Sequence, residues 1–189
     1  EQLQTQRTAD RISGTKTTVA DAAVADVAVV LARTGSELEL CLVPLKQDGV
    51  TIEPVLTLDS SRGHSNLVLK EAPTERLGDK PVTQAQWNRL LDGAAVLFSW
   101  EQLGVAESAL LQARDYALQR YAFGRAIGSY QAIKHKLAAM YVKNTLARSN
   151  AYYGIGALAE GSDELSLAAA TARVAAIQAA SFAAEENIQ

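Results

Sequence analysis

A single short segment concentrates the side chains of this chain that are suited to binding an anion. It runs from Arg120 to Gln131 and reads RYAFGRAIGSYQ. Gly124 is suited to the left-handed backbone that ends a helix, and Ser129 to the N-cap of the next one, so Gln131 falls among the unpaired N–H groups of a helix start. An arginine, an amide side chain and the positive end of a helix together can hold a phosphate or pyrophosphate group.

The same residues also fit an ordinary joint between two helices. In that interpretation Phe123 packs in the core and Arg120 forms a surface ion pair, which contributes little to stability. Residue types and spacing alone leave both interpretations open, and the anion site needs support from the rest of the chain.

The composition of the chain excludes several classes of protein. With 189 residues and 48% hydrophobic content, it is long enough to bury a core in one or two domains. A net charge of −3 gives no electrostatic reason to expect nucleic acid as a partner, and no group of Cys, His and carboxylate residues has the spacing of a metal site. The single cysteine, Cys41, cannot form an internal disulfide, so we expect a reducing compartment, the cytoplasm.

The carboxy-terminal stretch is rich in alanine and predicts a packed helix. Residues 168–184 contain Arg173 and Gln178 among the alanines, and no apolar run is expected to be long enough to cross a bilayer, so we expect no membrane partner. The helical pattern is still running at Gln189, and the chain begins without Met. We therefore expect a fragment of a longer protein.

Residues 12 to about 80 predict β-strands. Val24–Ala32 is a valine-rich run, and Glu37–Val43 alternates between apolar and polar residues. Shorter candidates lie at 49–52 and 67–69, and glycines at 35, 49 and 63 supply the turns. We expect a small, mainly antiparallel β-domain, the partial middle domain of the protein, at residues 1–80.

From residue 83 the hydrophobic period becomes that of helices. Thr83 and Gln86 fit a capping box at the start of a long helix. Apolar residues then recur at three- and four-residue steps along one of its faces: Val96, Trp100, Leu103, Ala106, Leu110, Ala113 and Ala117. A second helix follows from about Ile133, with Gly154 and Gly161 loosening its end.

Ser162 is expected to cap a third helix, whose apolar stripe includes Leu167, Val174 and Ile177. Three long helices with faces of small residues predict part of a helical bundle at residues 81–189, truncated at its end. The fold class predicted for the whole chain is α+β, a β-domain followed by a helical bundle.

The 120–131 segment closely resembles a known signature. Its pattern Arg-x-x-Phe-Gly-x-x-Ile-Gly-x-x-Gln is similar to the flavin-contacting signature of the acyl-CoA dehydrogenase family. Leu103-Gly104 and Tyr116-Ala117 precede it at the family's spacing, Ile12-Ser-Gly-Thr-Lys16 is similar to the opening of the family's sheet, and Glu186–Gln189 resembles the start of a further motif. A sheet followed by a bundle is also the order of the family's middle and carboxy-terminal domains, whose amino-terminal helical domain is not seen here.

This resemblance implies a flavoprotein with FAD as its cofactor. Arg120, Phe123, Gln131 and Gln189 would contact the adenosine-diphosphate half of FAD, which in this family is reached across a dimer interface. The implied reaction is the α,β-desaturation of an acyl-CoA thioester, in which a carboxylate removes the α-proton while the β-hydrogen leaves as hydride to the flavin. An electron-accepting flavoprotein is the further partner that the resemblance implies.

Several positions depart from the family's pattern. The residues that usually meet the flavin ring, an aromatic and a hydroxyl residue, align to Thr18 and Ala20. The catalytic Glu either aligns to Ala94 or lies beyond Gln189, so no catalytic residue is visible. A family Arg that meets coenzyme A aligns to Ala95, although its companion survives as Asp92, a predicted substrate-binding residue.

We therefore expect one degenerate subunit of a heteromeric dehydrogenase, a heterotetramer in which another acyl-CoA dehydrogenase-like subunit supplies the base. Such assemblies resemble those with which actinobacteria degrade steroid side chains. Two alternatives remain open. One is a self-sufficient homotetramer with its Glu beyond residue 189, and the other is a non-enzymatic scaffold.

Overall fold

The computed structural model describes residues 3–59 and 61–189 of the chain. The chain forms two compact units, Glu1–Gln86 and Trp87–Gln189. The first is a β-sheet and the second consists mainly of helices, which confirms the predicted α+β class.

The first unit is built on one seven-stranded sheet. Its strands are β1 Gln6–Thr8, β2 Arg11–Ala20, β3 Val27–Thr34, β4 Glu37–Pro44, β5 Val50–Val55, β6 His64–Pro73 and β7 Glu75–Arg76. Their order across the sheet is β5-β6-β2-β1-β3-β4-β7. Every pairing is antiparallel except that of β1 with β3, which confirms the mainly antiparallel sheet.

The period of two in β4 is confirmed by its burial, but the leucines are not the buried set. Leu40 and Leu42 are half-buried, whereas Glu39, Cys41 and Val43 point into the unit and are buried. The apolar core on that side is completed by residues of the neighbouring strands and turns: Ile12, Val30, Ala32, Leu45, Leu67, Leu69 and Ala72. Because Glu39 falls on the buried face, the sheet has to supply partners for a charge.

Two arginines and a threonine provide those partners. The Glu39 carboxylate accepts hydrogen bonds from Arg7 Nη1 at 2.8 Å, Thr34 Oγ1 at 2.8 Å and Arg76 Nη1 at 3.3 Å. Burial alone would raise the pKa of Glu39, but the hydrogen bonds from Thr34, Arg7 and Arg76 outweigh it and hold the pKa below its ordinary value. The two ion pairs of Glu39 thus join β1, β4 and β7 across the sheet.

Three helices form most of the second unit: α1 Gln84–Gln119, α2 Gln131–Glu160 and α3 Leu165–Ile188. The predicted capping box before α1 is confirmed, because Gln86 N–H donates to Thr83 Oγ1 at 3.2 Å and Thr83 N–H donates to Gln86 Oε1 at 2.9 Å. The predicted apolar face of α1 is also confirmed. Leu103 and Ala106 of that face lie in one core cluster with residues of α2 and α3, and Leu110 packs against it.

The prediction that Gly154 loosens the end of α2 is wrong. Gly154 is buried within α2, which continues to Glu160. The glycine serves close packing between helices, since α3 passes directly over it. Gly161 does end the helix in the left-handed conformation, with φ of 70°.

The start of α3 also differs from the prediction. The helix begins at Leu165, and its N-cap is Glu164. Ser162 lies in the preceding turn, where its hydroxyl oxygen accepts the Glu164 N–H at 3.1 Å. Ser162 therefore supports the turn that leads into α3 and does not cap the helix itself.

The predicted apolar stripe of α3 is wrong. Leu167, Val174 and Ile177 are exposed. The buried face consists of Leu165 and six alanines: Ala168, Ala169, Ala172, Ala176, Ala179 and Ala183. Small side chains occupy this face because the helices approach too closely for larger ones.

The expectation that no apolar run is long enough to cross a bilayer is wrong for α3. α3 is long and apolar enough to cross a membrane by length and composition. Its alanine face is nevertheless buried against residues of α1 and α2, as in the core helix of a bundle.

Candidate functional site

The segment between α1 and α2 is a tight hairpin. Strand β8 (Tyr121–Ala122) pairs with β9 (Arg125–Ala126) through a two-residue turn, Phe123–Gly124. Both turn residues have positive φ, 52° and 79°, as the turns that best match the twist of a hairpin require. The prediction that Gly124 ends a helix is therefore wrong, because α1 has already ended at Gln119.

A 3-10 turn, Ile127–Ser129, leads from the hairpin to α2. Ser129 is not the N-cap that was predicted, since its hydroxyl donates to the carbonyl oxygen of Ala126 at 2.7 Å. Tyr130 occupies the N-cap position without a side-chain cap bond. Gln131 is the first residue of α2, so its predicted place at a helix start is confirmed.

Gly128 lets this turn pack on the end of α1. A Cβ at Gly128 would come within 3.0 Å of the carbonyl oxygen of Ala117. The hairpin is closed at its base by the Ile127 N–H, which donates to the carbonyl oxygen of Arg120 at 2.8 Å. Arg120, the hairpin and Gln131 thus belong to one locally ordered corner.

The side chains of this corner face solvent. The ring of Phe123 is 97% exposed, although Phe has a strong tendency to be buried. Arg120 and Gln131 are exposed as well, and neither forms an ion pair or side-chain hydrogen bond within the described ranges 3–59 and 61–189. The structure therefore rules out the ordinary joint, in which Phe123 is a core residue and Arg120 is paired.

Gln189 lies apart from these three residues in a groove. The groove has a volume of about 740 Å³ and is bounded by α1, the start of α2 and the end of α3. Ile127, Lys136 and Gln189 line it, and Lys136 forms an ion pair with Glu186. Arg120, Phe123 and Gln131 do not belong to its lining, so the structure does not bring all four predicted cofactor contacts into one cavity.

The remaining predicted positions lie elsewhere. Asp92, Ala94 and Ala95 follow one another near the start of α1 and are half-buried. Thr18 and Ala20 lie on β2 in the first unit, and both are exposed. Thr18 has a positive φ of 54°, and its N–H donates to Asn66 Oδ1 at 3.1 Å.

Sequence reasoning missed the role of Tyr130. Its hydroxyl donates to the carbonyl oxygen of Ala122 at 3.0 Å, and the guanidinium of Arg125 lies 3.9 Å from the centre of its ring. The signal available in the sequence was an aromatic residue next to Gln131, but only the hairpin shows what that residue contacts.

Comparison with known proteins decides the family. A sequence profile described as "Acyl-CoA dehydrogenase, C-terminal domain" matches residues 82–189, more than half of the chain. The chain belongs to the acyl-CoA dehydrogenase family. Members of this family are flavin-dependent oxidoreductases that use FAD.

Three relatives illustrate the similarity. Acyl-CoA dehydrogenase IpdE2 of Mycobacterium tuberculosis is 40% identical over 137 residues, which make up 72% of this chain and 38% of that protein. The ChsE4–ChsE5 complex of the same organism contains a chain that is 29% identical, with a TM-score of 0.83 over 98% of this chain and 50% of that one. A Tcur3481–Tcur3483 steroid ACAD variant gives 29% identity and a TM-score of 0.84 over 97% and 49%.

This chain therefore spans about half the length of the two structural relatives and 38% of the length of the curated relative. Some exposed side chains of this chain have the chemistry needed to contact FAD, and others do not. The exposed Phe123 at a hairpin tip, and the exposed guanidinium of Arg120, which has no partner among residues 3–59 and 61–189, fit contacts to a group that lies outside the fold of this chain. The side chain of Ala20, by contrast, offers no hydrogen bond to a flavin edge.

Proposed function

We propose that this chain is part of a subunit of an FAD-dependent acyl-CoA dehydrogenase that desaturates an acyl-CoA thioester. In this proposal it contributes Arg120, Phe123 and Gln131 to FAD across a subunit interface, and a partner subunit supplies the catalytic base. The observation that carries the proposal is the Phe123 ring, 97% exposed at the tip of a turn with positive φ.

The exposed ring and the positive φ of Phe123 do not increase the stability of the folded chain. A bulky residue with positive φ is strained, and an exposed ring gains nothing from burial. The hairpin turn requires the positive φ. The presence of an exposed phenylalanine at that position is explained if its ring packs against a group from another subunit. The nearby guanidinium of Arg120 is then available for a phosphate, to which arginine can donate two parallel hydrogen bonds.

Bound FAD would supply the acceptor for the hydride that leaves the β-carbon of the acyl chain. The residues of this chain would bind and orient the adenosine-diphosphate half of the cofactor, with Gln131 at the positive end of α2 and Gln189 as a further contact. Asp92 is proposed to contact the acyl-CoA substrate. Because alanine occupies position 94, where the resemblance places a catalytic Glu on this helix, we propose that a partner supplies the base for proton abstraction.

We further propose a steroid side-chain acyl-CoA as the substrate class. The support is that one structural relative is a steroid ACAD and another is a complex of two differently named chains, ChsE4 and ChsE5. In the proposed assembly a second acyl-CoA dehydrogenase-like subunit is the partner, electrons pass to a separate flavoprotein, and the compartment is the cytoplasm.

Replacement of Arg120 tests the cofactor role. Arg120→Ala in the full-length assembly should raise the Kd for FAD about tenfold or more, because hydrogen bonds to a charged group are worth about 1.5–3 kcal/mol. The matched control is Arg114→Ala, six residues earlier on α1, where the arginine is paired with the exposed Asp115. Fluorescence titration of the deflavinated assembly with FAD measures both variants, and an equal Kd for the two would contradict the assignment.

A further inference from the structure

Tyr130 connects the hairpin to the first turn of α2 by contacts of its side chain and its backbone. Its hydroxyl reaches the carbonyl oxygen of Ala122 on β8, and its ring lies beneath the guanidinium of Arg125 on β9. Its backbone N–H donates to the carbonyl oxygen of Ile127 at 3.1 Å, in the N-cap position of α2. One residue thus contacts both strands of the hairpin and the helix start.

The hairpin needs such support. Its ladder consists of only two residue pairs, and isolated short hairpins are marginal in water. Phe123, at the tip, also has a backbone conformation that bulky residues rarely adopt. A strained conformation persists only where the surrounding structure holds it, and the side-chain contacts of Tyr130 supply that hold from outside the ladder.

We infer that Tyr130 is a positioning residue for the cofactor contact, an inference that rests on the proposed function. Ala122 directly precedes Phe123, and Tyr130 directly precedes Gln131. The 3.0 Å hydrogen bond from the Tyr130 hydroxyl to the Ala122 carbonyl oxygen therefore sets the position of Phe123 relative to Gln131. Tyr130 acts through these neighbours, and holding in place the backbone that carries both side chains lowers the entropic cost of binding FAD.

The hydroxyl group can be removed by itself. Tyr130→Phe keeps the ring beneath Arg125 and deletes only the hydrogen bond to Ala122. Tyr153→Phe is the matched control, because Tyr153 lies on the same helix α2 and its hydroxyl donates to Glu164 Oε2 at 2.9 Å. Both variants lose one tyrosine hydroxyl bond, but only the first loses a bond to the hairpin.

Two measurements separate positioning from a general effect on the fold. The first is hydrogen–deuterium exchange of residues 120–130 in the FAD-free full-length protein. The second is the Kd of the deflavinated assembly for FAD. Tyr130→Phe should speed exchange in this segment and raise the Kd, each about 2- to 10-fold, as expected for one hydrogen bond. Tyr153→Phe should leave both unchanged.

The outcomes also distinguish this inference from the proposed function. If Tyr130→Phe changes neither the exchange nor the Kd, Tyr130 does not position the hairpin and the inference is wrong. If exchange speeds up and only Arg120→Ala raises the Kd, the proposed function stands, but order in the hairpin is not needed for binding, which again overturns the inference. If neither Arg120→Ala nor Tyr130→Phe changes the Kd, the FAD contact itself is wrong, and the inference fails with it.

Discussion

Gly154 of α2 lies against Ala172 of α3 at a distance that leaves little room for a side chain. A Cβ at Gly154 would be 3.2 Å from the Cβ of Ala172 and 3.3 Å from Cγ2 of Val96 on α1. All three helices therefore meet at one glycine. This close approach explains why the buried face of α3 is made almost entirely of alanine.

Replacement of this glycine by alanine should reduce stability. Alanine gains about 1 kcal/mol of helix propensity over glycine, but overpacking a core costs about 1–3 kcal/mol, so we expect a net loss of about 1 kcal/mol. Gly156→Ala is the control on the same helix, where a Cβ would meet nothing within 4 Å. It should gain up to about 1 kcal/mol. Urea unfolding of both variants measures the difference, and equal gains would show that the helices can separate to admit the methyl group.

Phe123→Asn should separate stability from cofactor binding. Asparagine tolerates positive φ better than phenylalanine, so the free energy of unfolding of the FAD-free protein should stay constant or rise by up to about 1 kcal/mol. The flavin content of the purified assembly should fall, because the ring that packs on the cofactor is lost. Thermal unfolding and the ratio of flavin to protein absorbance give the two values. Joint loss of stability and flavin would instead indicate a structural role for Phe123.

Glu39→Gln should remove a pH-dependent contribution to stability. Since the pKa of Glu39 is lowered on folding, its contribution is present above the pKa of the unfolded state and is lost as the pH falls through the folded pKa. At pH 7 the variant should lose about 2–3 kcal/mol, because the half-buried Arg7 and the more exposed Arg76 lose a charged acceptor at a buried position.

The loss of stability in Glu39→Gln should depend on pH. The stability difference between wild type and Glu39→Gln should shrink as the pH drops below the ordinary range of a glutamate, measured by urea unfolding at a series of pH values. Glu37→Gln replaces an exposed residue of the same strand and should leave the pH profile unchanged. A difference that stays constant with pH would mean that the hydrogen bonds and not the charge of Glu39 carry the effect.

The visible absorption spectrum tests how the subunits share the cofactor. We expect full-length protein purified alone to lack flavin bands, and the complex co-expressed with a second acyl-CoA dehydrogenase-like subunit to contain them. The physical reason is that, in the proposed function, the exposed corner around Phe123 completes a site on another subunit. Stoichiometric flavin in the lone protein would favour the self-sufficient homotetramer, and absence of flavin from both preparations would favour the scaffold.

Local features of the fold could be predicted from neighbouring residues. The alternation in β4, the capping box of Thr83 and Gln86, and the apolar face of α1 each depend on residues a few positions apart. The prediction that Ser129 is an N-cap was wrong because its hydroxyl donates to a nearby acceptor, the carbonyl oxygen of Ala126. Gly124 was misjudged because positive φ serves hairpin turns as well as helix ends.

The sequence by itself determined the strand and helix periods and the signature from Arg120 to Gln131, because these are written in short-range spacing. Only the tertiary structure decided which face of α3 is buried. Hydrophobicity favours Leu167, Val174 and Ile177, but the close contact at Gly154 places the small residues Ala168 and Ala172 on the buried face. The structure also decided that Phe123 is exposed and that Tyr130 holds the hairpin, since the bond from Tyr130 to Ala122 exists only once the chain has folded back on itself.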